Sequence, residues 1–241
     1  VYENLGEGGF ATHPALESQS MIRSLAAVDY DHDRLLDIFV CGYSPRQSNS
    51  VGLGRPIPYH DANNGARNFL LRNLGAFRFS DVTSESGLDV NNRRFSYAAA
   101  WEDYDNDGDL DLYVANDFGR NNLYRNEGGK FRDVAAEAGV EDVAAGMSVT
   151  WGDFNRDGLP DIYVSNMFSS AGNRIAYQRQ FREDLDTDTR ALYQRHARGN
   201  SLFQNRGDGT FQDVSVSAGV TEGRWAWGSN FADINNDGWQ D

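Results

Sequence analysis

The chain holds one cysteine, Cys41, in its 241 residues, so no intramolecular disulfide framework can hold it together. In the apolar run from Ile38 to Cys41 that thiol reads as a small buried hydrophobe. Prolines number 5 against 25 glycines, the balance of a chain with many tight turns. No apolar run reaches the roughly 18 residues of a membrane-crossing helix, so no membrane insertion is expected. Positive charge is also short. Lys and Arg total 22 against 36 Asp and Glu, giving a net charge of -14 and a pI near 4.6, which argues against a nucleic-acid groove or attraction to an anionic membrane. The sequence has no G-x-S-x-G elbow, no H-E-x-x-H pair and no glycine-rich phosphate loop.

What is present is a repeated loop. Asp residues outnumber Glu 26 to 10, and many fall into four nine-residue segments beginning at residues 29, 103, 153 and 233. Oxygen-bearing side chains occupy positions 1, 3, 5 and 9 in each: Asp29, Asp31, Asp33 and Asp37; Asp103, Asp105, Asp107 and Asp111; Asp153, Asn155, Asp157 and Asp161; Asp233, Asn235, Asp237 and Asp241. Position 6 is Gly108, Gly158 and Gly238 in three copies and Arg34 in the first. Alternating carboxylates with a glycine at the turn are how a short loop wraps a hard cation. Without one, three or four converging carboxylates repel. Oxygen-only ligands favour Ca²⁺ over Zn²⁺, and Mg²⁺ demands a stricter octahedron. Four bound divalent ions would offset more than half of the net charge, so the acidity reads as metal-site chemistry. Asn155 and Asn235 keep an oxygen but drop a charge, which should weaken their sites. Arg34 is expected to strain the first loop and to compete for its carboxylates.

The intervals between loops are 74, 50 and 80 residues, and a second signature keeps step with them: Asn4, Asn73, Asn126 and Asn205, each followed by Gly and then by Phe10, Phe79, Phe131 and Phe211. Strands are expected at 148–151, 161–164, 123–125 and 130–134, four short antiparallel strands per repeat of about 50 residues, which is the arithmetic of a propeller blade. Flanking helices and a Glu at position 12, which an EF-hand needs, are missing. The expected class is all-β, with about four blade units near 1–72, 73–125, 126–204 and 205–241. Two insertions depart from the unit. Residues 43–67, rich in Gly, Pro and Asn, read as an ordered loop; residues 169–199 read as helices near 173–185 and 189–197, with Asp186, Thr187 and Asp188 as capping candidates. The second carries six arginines and either covers a sheet edge or decorates a binding face. Because the sequence starts on Val1 and stops on the last acid of a loop, it reads as a piece, expected to continue into a further strand.

In the loop pattern leading into Leu112-Tyr113-Val114 or Ile162-Tyr163-Val164, together with the Asn-Gly-Phe-Asp-Val half, the chain resembles the FG-GAP/VCBS repeats of integrin α-like propellers. It is most similar to the bacterial branch related to cartilage acidic protein, which carries an ASPIC/UnbV module, at Arg93-Arg94-Phe95-Ser96-Tyr97, Asn166-Met167-Phe168-Ser169-Ser170 and Arg224-Trp225-Ala226-Trp227-Gly228. The resemblance implies a seven-bladed, exported, calcium-binding propeller used for adhesion or interaction. It implies side-chain ligands at positions 1, 3, 5 and 9 and carbonyl ligands from Leu35, Asp109, Leu159 and Trp239. The expected partner is a protein or glycan outside the cytoplasm.

The alternative is a calcium-dependent glycan lyase or hydrolase on the same scaffold, since folds of this kind host more than one function. The adjacent His60 and Asp61 are the pair to watch for it, by default joined in a loop-ordering hydrogen bond. His13 and His196 read as surface residues, and His32 holds a non-ligand position. Arg206-Gly207-Asp208 reads as turn chemistry, not as an adhesion tripeptide. Trp225 and Trp227 read as inner-strand core more readily than as a sugar platform.

Overall fold

Strand residues follow the first three Asp loops directly, and their alternation dictates where they pack. In a computed structural model of the chain, which describes residues 1–14, 16, 18, 20–45 and 54–241, the fold is mostly β. A hairpin, β1 (Tyr2–Gly6) and β2 (Gly9–Thr12), precedes three four-stranded antiparallel sheets. The first is β3 (Ser20–Val28), β4 (Asp37–Pro45), β5 (Phe69–Asn73) and β6 (Phe79–Asp81). The second is β7 (Ser96–Glu102), β8 (Asp111–Asn116), β9 (Asn122–Asn126) and β10 (Phe131–Asp133), followed by a short helix α1 (Ala135–Ala138). The third is β11 (Gly146–Gly152), β12 (Asp161–Asn166), β13 (Ser201–Asn205) and β14 (Phe211–Asp213). All three are meanders in sequence order. The Asn-Gly turns lie inside a sheet, joining its third and fourth strands, so sheets are offset from units counted by those turns.

The middle sheet explains the near-continuous apolar runs. Along β8, Leu112 and Val114 face a core shared with the first sheet, while Tyr113 and Ala115 face a core shared with the third. Every residue of β8 is buried, as expected of a strand covered on both faces. Neighbouring sheets make contact through their first strands, β3 against β7 and β7 against β11. Ala98, Ala99 and Ala100 keep β7 thin where these strands converge. Gly87 serves a similar purpose at the rim. It has φ of +90°, and a Cβ there would stand 2.6 Å from the Phe131 carbonyl of the next sheet.

The second insertion folds as α2 (Ser170–Ala176), capped by the Ser169 hydroxyl, and α3 (Thr187–Ala197), capped by Asp186. The first helix thus lies earlier and is shorter than the 173–185 segment expected, and residues 177–185 are turns and bends. Its start is set by the Ser169 cap, which accepts from the Gly172 amide. In the first insertion, residues 46–53 of the expected loop lie outside the described residues, and Tyr59–Asp61 form a single 3-10 turn.

The turn asparagines lock sheets together. The Asn126 side-chain amide donates to the carbonyls of Tyr30, in the first loop, at 3.0 Å and of Leu110, in the second, at 3.1 Å. Asn205 repeats this one sheet on, donating to Tyr104 at 2.9 Å and Pro160 at 3.1 Å. Asn73 reaches only Leu36, in its own sheet. Replacing Asn126 by Ala strands buried carbonyls and should cost about 2–4 kcal/mol in urea unfolding, against less than about half of that for Asn73→Ala. Equal losses would show that the contact between sheets adds nothing.

Candidate metal centres

Each of the first three Asp loops leaves the first strand of a sheet and returns in the second. Register fixes the closure: position 9 pairs with the residue just before position 1, as Val28 with Asp37, Glu102 with Asp111 and Gly152 with Asp161. Inside the second loop, Asp103 accepts the amides of Asp107 and Gly108, both at 3.0 Å, and Asp107 accepts that of Asp109 at 2.9 Å. Asp153 and Asp157 form the same bonds in the third loop, and Asp233 and Asp237 in the fourth. These Asx turns need two left-handed residues per loop. Position 6 supplies one, with φ of +96° at Gly108, +84° at Gly158 and +86° at Gly238. The other is position 4: His32, Asn106, Arg156 and Asn236, all with φ of +58° to +62°. Asparagine tolerates that conformation and marks two of these positions, and histidine is also enriched in it; Arg156 gives no such signal.

Position 9 has a second duty. Asp111 is fully buried and accepts the amide of Asn126 at 2.8 Å and, more weakly, that of Tyr104 at 3.3 Å. Asp37 and Asp161 hold the corresponding amides of Asn73 and Tyr30, and of Asn205 and Phe154. Burial pushes the Asp111 carboxyl up to about 8, with the charges of Asp105 and Asp107 adding to the rise and the two amides opposing it. Asp37 and Asp161 are raised to about 6, chiefly by burial.

One carboxylate oxygen from each of Asp103, Asp105 and Asp111 lies within 4.8 Å of the others, and the same holds for Asp29, Asp31 and Asp37. Asp29 Oδ1, Asp31 Oδ1 and Asp105 Oδ1 are shut off from solvent without any hydrogen-bond partner. Buried acceptors left unpaired are costly, and a cation satisfies them. The donor set therefore fits a hard divalent ion. In the third loop Asn155 donates to Asp157 at 2.8 Å and accepts its amide at 3.0 Å, so part of its capacity is already used within the loop.

Arg34 does not break the first loop. It adopts the required left-handed conformation with φ of +70°, and its amide donates to Asp29. Its exposed side chain is not the competing cation. That position belongs to Arg72 of β5, whose guanidinium lies 2.7 Å from Asp31 and 3.4 Å from Asp33. The fourth loop is ordered like the others, closed by the Asp241 amide on Ala232 and by Ile234 on the Asp241 carboxylate.

The remaining sequence candidates divide. Asp61 does not bond His60; its oxygens accept from Arg94 at 2.7 Å and Arg120 at 3.1 Å, which outweigh burial and hold its pKa below the usual carboxylate range. His196 is not a surface residue. It sits between the Val143 carbonyl at 2.9 Å and the Tyr59 hydroxyl at 3.1 Å, and burial lowers its pKa. His13 stacks on Phe77 and meets Glu3. His32 reaches Asp109 of the next loop at 3.1 Å. Asp208 is tied to the amide and hydroxyl of Thr210, the turn role anticipated for Arg206-Gly207-Asp208. Trp225 and Trp227 are 65% and 54% exposed, not core, because their segment makes only an isolated bridge to Met167 where the other repeats form a paired first strand. Cys41 is buried, its thiol pushed up to about 12 by burial.

A raised carboxyl binds its proton more tightly in the folded state, so without metal the ionised Asp111 costs stability above about pH 8, and that cost fades as pH falls toward the unfolded carboxylate range. A cation must displace the proton. Calcium titrations by calorimetry in buffers of different ionisation enthalpy should therefore report release of about one proton at pH 7 and almost none at pH 9. Equal release at the two pH values would remove Asp111 from the ligand set.

The family profile of the FG-GAP-like repeat matches residues 103–164 and 184–241, spans that contain the second, third and fourth Asp loops. No curated protein matches the chain. Among the described residues no helix is long and apolar enough to cross a membrane. The matched spans, the repeated sheets and the recurring loop agree: the chain carries two FG-GAP-like repeats.

Proposed function

We propose that the chain is an exported, calcium-stabilised β-propeller segment acting as an adhesion or interaction module for a protein or glycan outside the cytoplasm. The observation that carries the metal reading is the set of buried, unpartnered oxygens of Asp29, Asp31 and Asp105, each inside a loop whose first aspartate already accepts backbone amides. Convergence of first strands supports the propeller, because sheets that meet along one edge and pack face to face fan out around a common axis. The likeness to integrin α-like, ASPIC/UnbV-associated propellers supports the blade number of seven and the location.

Calcium in this reading is structural. It fastens the turn between the first two strands of each sheet, with side chains from positions 1, 3, 5 and 9 and the position-7 carbonyl as ligands. Extracellular sites of this kind bind at roughly 10⁻⁴–10⁻³ M. At about 10 mM calcium each occupied site then adds roughly 1.4–2.7 kcal/mol to stability. Thermal unfolding should shift upward by several degrees with calcium and return with chelator, and Asp107→Ala should remove the share belonging to the second loop. No shift with millimolar calcium would sink the metal reading for every loop.

A further inference from the structure

At the end of the sheets opposite the Asp loops lies a cavity of about 370 Å³, within the usual range for small-molecule sites. Segments distant along the chain build it, among them Tyr59 of the first insertion, Asp117 and Phe118 just after β8, and Phe181 and Tyr193 of the helical insertion. Trp225 closes one side. The rings are set against one another. Tyr59 and Tyr193 are parallel at 6.0 Å, Phe118 meets Tyr59 at 70°, and Phe181 meets Tyr193 at 73°. Mutual packing of this kind holds the rings in place, so they need little further ordering on binding.

Asp117 is the unusual member. Five aspartates are fully or nearly buried among the described residues: Asp37, Asp111 and Asp161 are loop residues, and Asp142 pairs with Arg195 at 3.0 Å. Asp117 has the Tyr43 hydroxyl at 2.6 Å, and among the described residues no cationic side chain lies within ion-pair distance. Burial raises its pKa, with the Tyr43 hydrogen bond and the more distant His196 and Arg23 only partly opposing. A buried carboxylate with no ion-pair partner among the described residues, on the wall of an aromatic cavity, is a place suited to a cation.

The cation's chemistry follows from what the walls lack. The Tyr59 hydroxyl and both His196 nitrogens are already engaged with each other or with Val143, so few free hydrogen-bonding groups remain. A sugar or a hydrated metal ion would lose more bonds than it found. A methylated ammonium needs none: it is weakly hydrated, favours aromatic faces, and requires one negative charge. We propose that this cavity binds a small quaternary ammonium group, held against the rings of Tyr59, Phe118, Phe181, Tyr193 and Trp225 and neutralised by Asp117. The site stands apart from the Asp loops and does not depend on their taking calcium.

The test is calorimetric titration of the full chain, in millimolar calcium, with choline and with its uncharged isostere 3,3-dimethylbutan-1-ol. Choline should bind saturably, and the isostere about tenfold more weakly or worse. Asp117→Asn should weaken choline by a similar factor, and Trp225→Ala, at an exposed position that folding tolerates, by several-fold. Absence of saturable choline binding, or equal affinity for choline and the isostere, overturns the proposal. If Asp117→Asn fails to fold, Trp225→Ala and the isostere decide. Co-sedimentation with phosphatidylcholine vesicles, competed by choline, would assign the group to a lipid headgroup; choline binding without co-sedimentation would assign it to a free solute.

Discussion

A buried carboxylate at the last position of each of the first three Asp loops accepts two backbone amides, one from the loop's second residue and one from the asparagine that opens the turn between the third and fourth strands. In the second sheet these are Asp111, Tyr104 and Asn126. That single side chain ties together the loop, the second strand and the third strand. The asparagine so positioned then reaches the preceding sheet through its side chain, as Asn126 does to Tyr30 and Asn205 to Tyr104. Loop order, strand register and the contact between sheets thus share one anchor. A carboxylate this buried is costly when ionised, which is why its pKa is raised and why a cation beside it has so much to contribute.

The two ends of the sheets are consequently different surfaces. One is assembled from repeats of a single loop, acidic and uniform, and its chemistry is that of holding the body together. The other is assembled from what is not repeated: the Tyr59–Asp61 turn, the Asp117 to Arg120 connection and the helices α2 and α3. Salt links from Asp61 to Arg94 and Arg120, and from Arg195 to Asp142 and Asp213, bind these insertions to the sheets, so the cavity they form rests on a fixed base.

The repeat was legible in the sequence because it is local: oxygens at positions 1, 3, 5 and 9, the glycine at 6, and the apolar run that follows. The double burial of β8 was not read from the sequence, although the continuous apolar run Leu112-Tyr113-Val114-Ala115 is the mark of a strand covered on both faces. What escaped was set by contacts distant along the chain or by conformations that residue type does not announce. Arg34 departs from glycine yet takes the same left-handed turn, while Arg72, 41 residues after Asp31, supplies the guanidinium that meets the carboxylates. The clamp from Asn126 to Tyr30 spans 96 residues. Asp117 carries no motif at all; only its burial, beside rings drawn from distant segments, distinguishes it from any other acid after a strand.

The central claim is that a cation in the loop and the buried carboxylate behind it form one unit with the strands they join. Hydrogen exchange of the Tyr104 and Asn126 amides, measured with saturating calcium and again after chelation, tests it most directly. The account predicts that both amides, which share Asp111, gain protection together when calcium binds. If they exchange at unchanged rates, or if only the exposed loop amides respond, the loop takes its ion without engaging the sheet and the proposed anchor is not one.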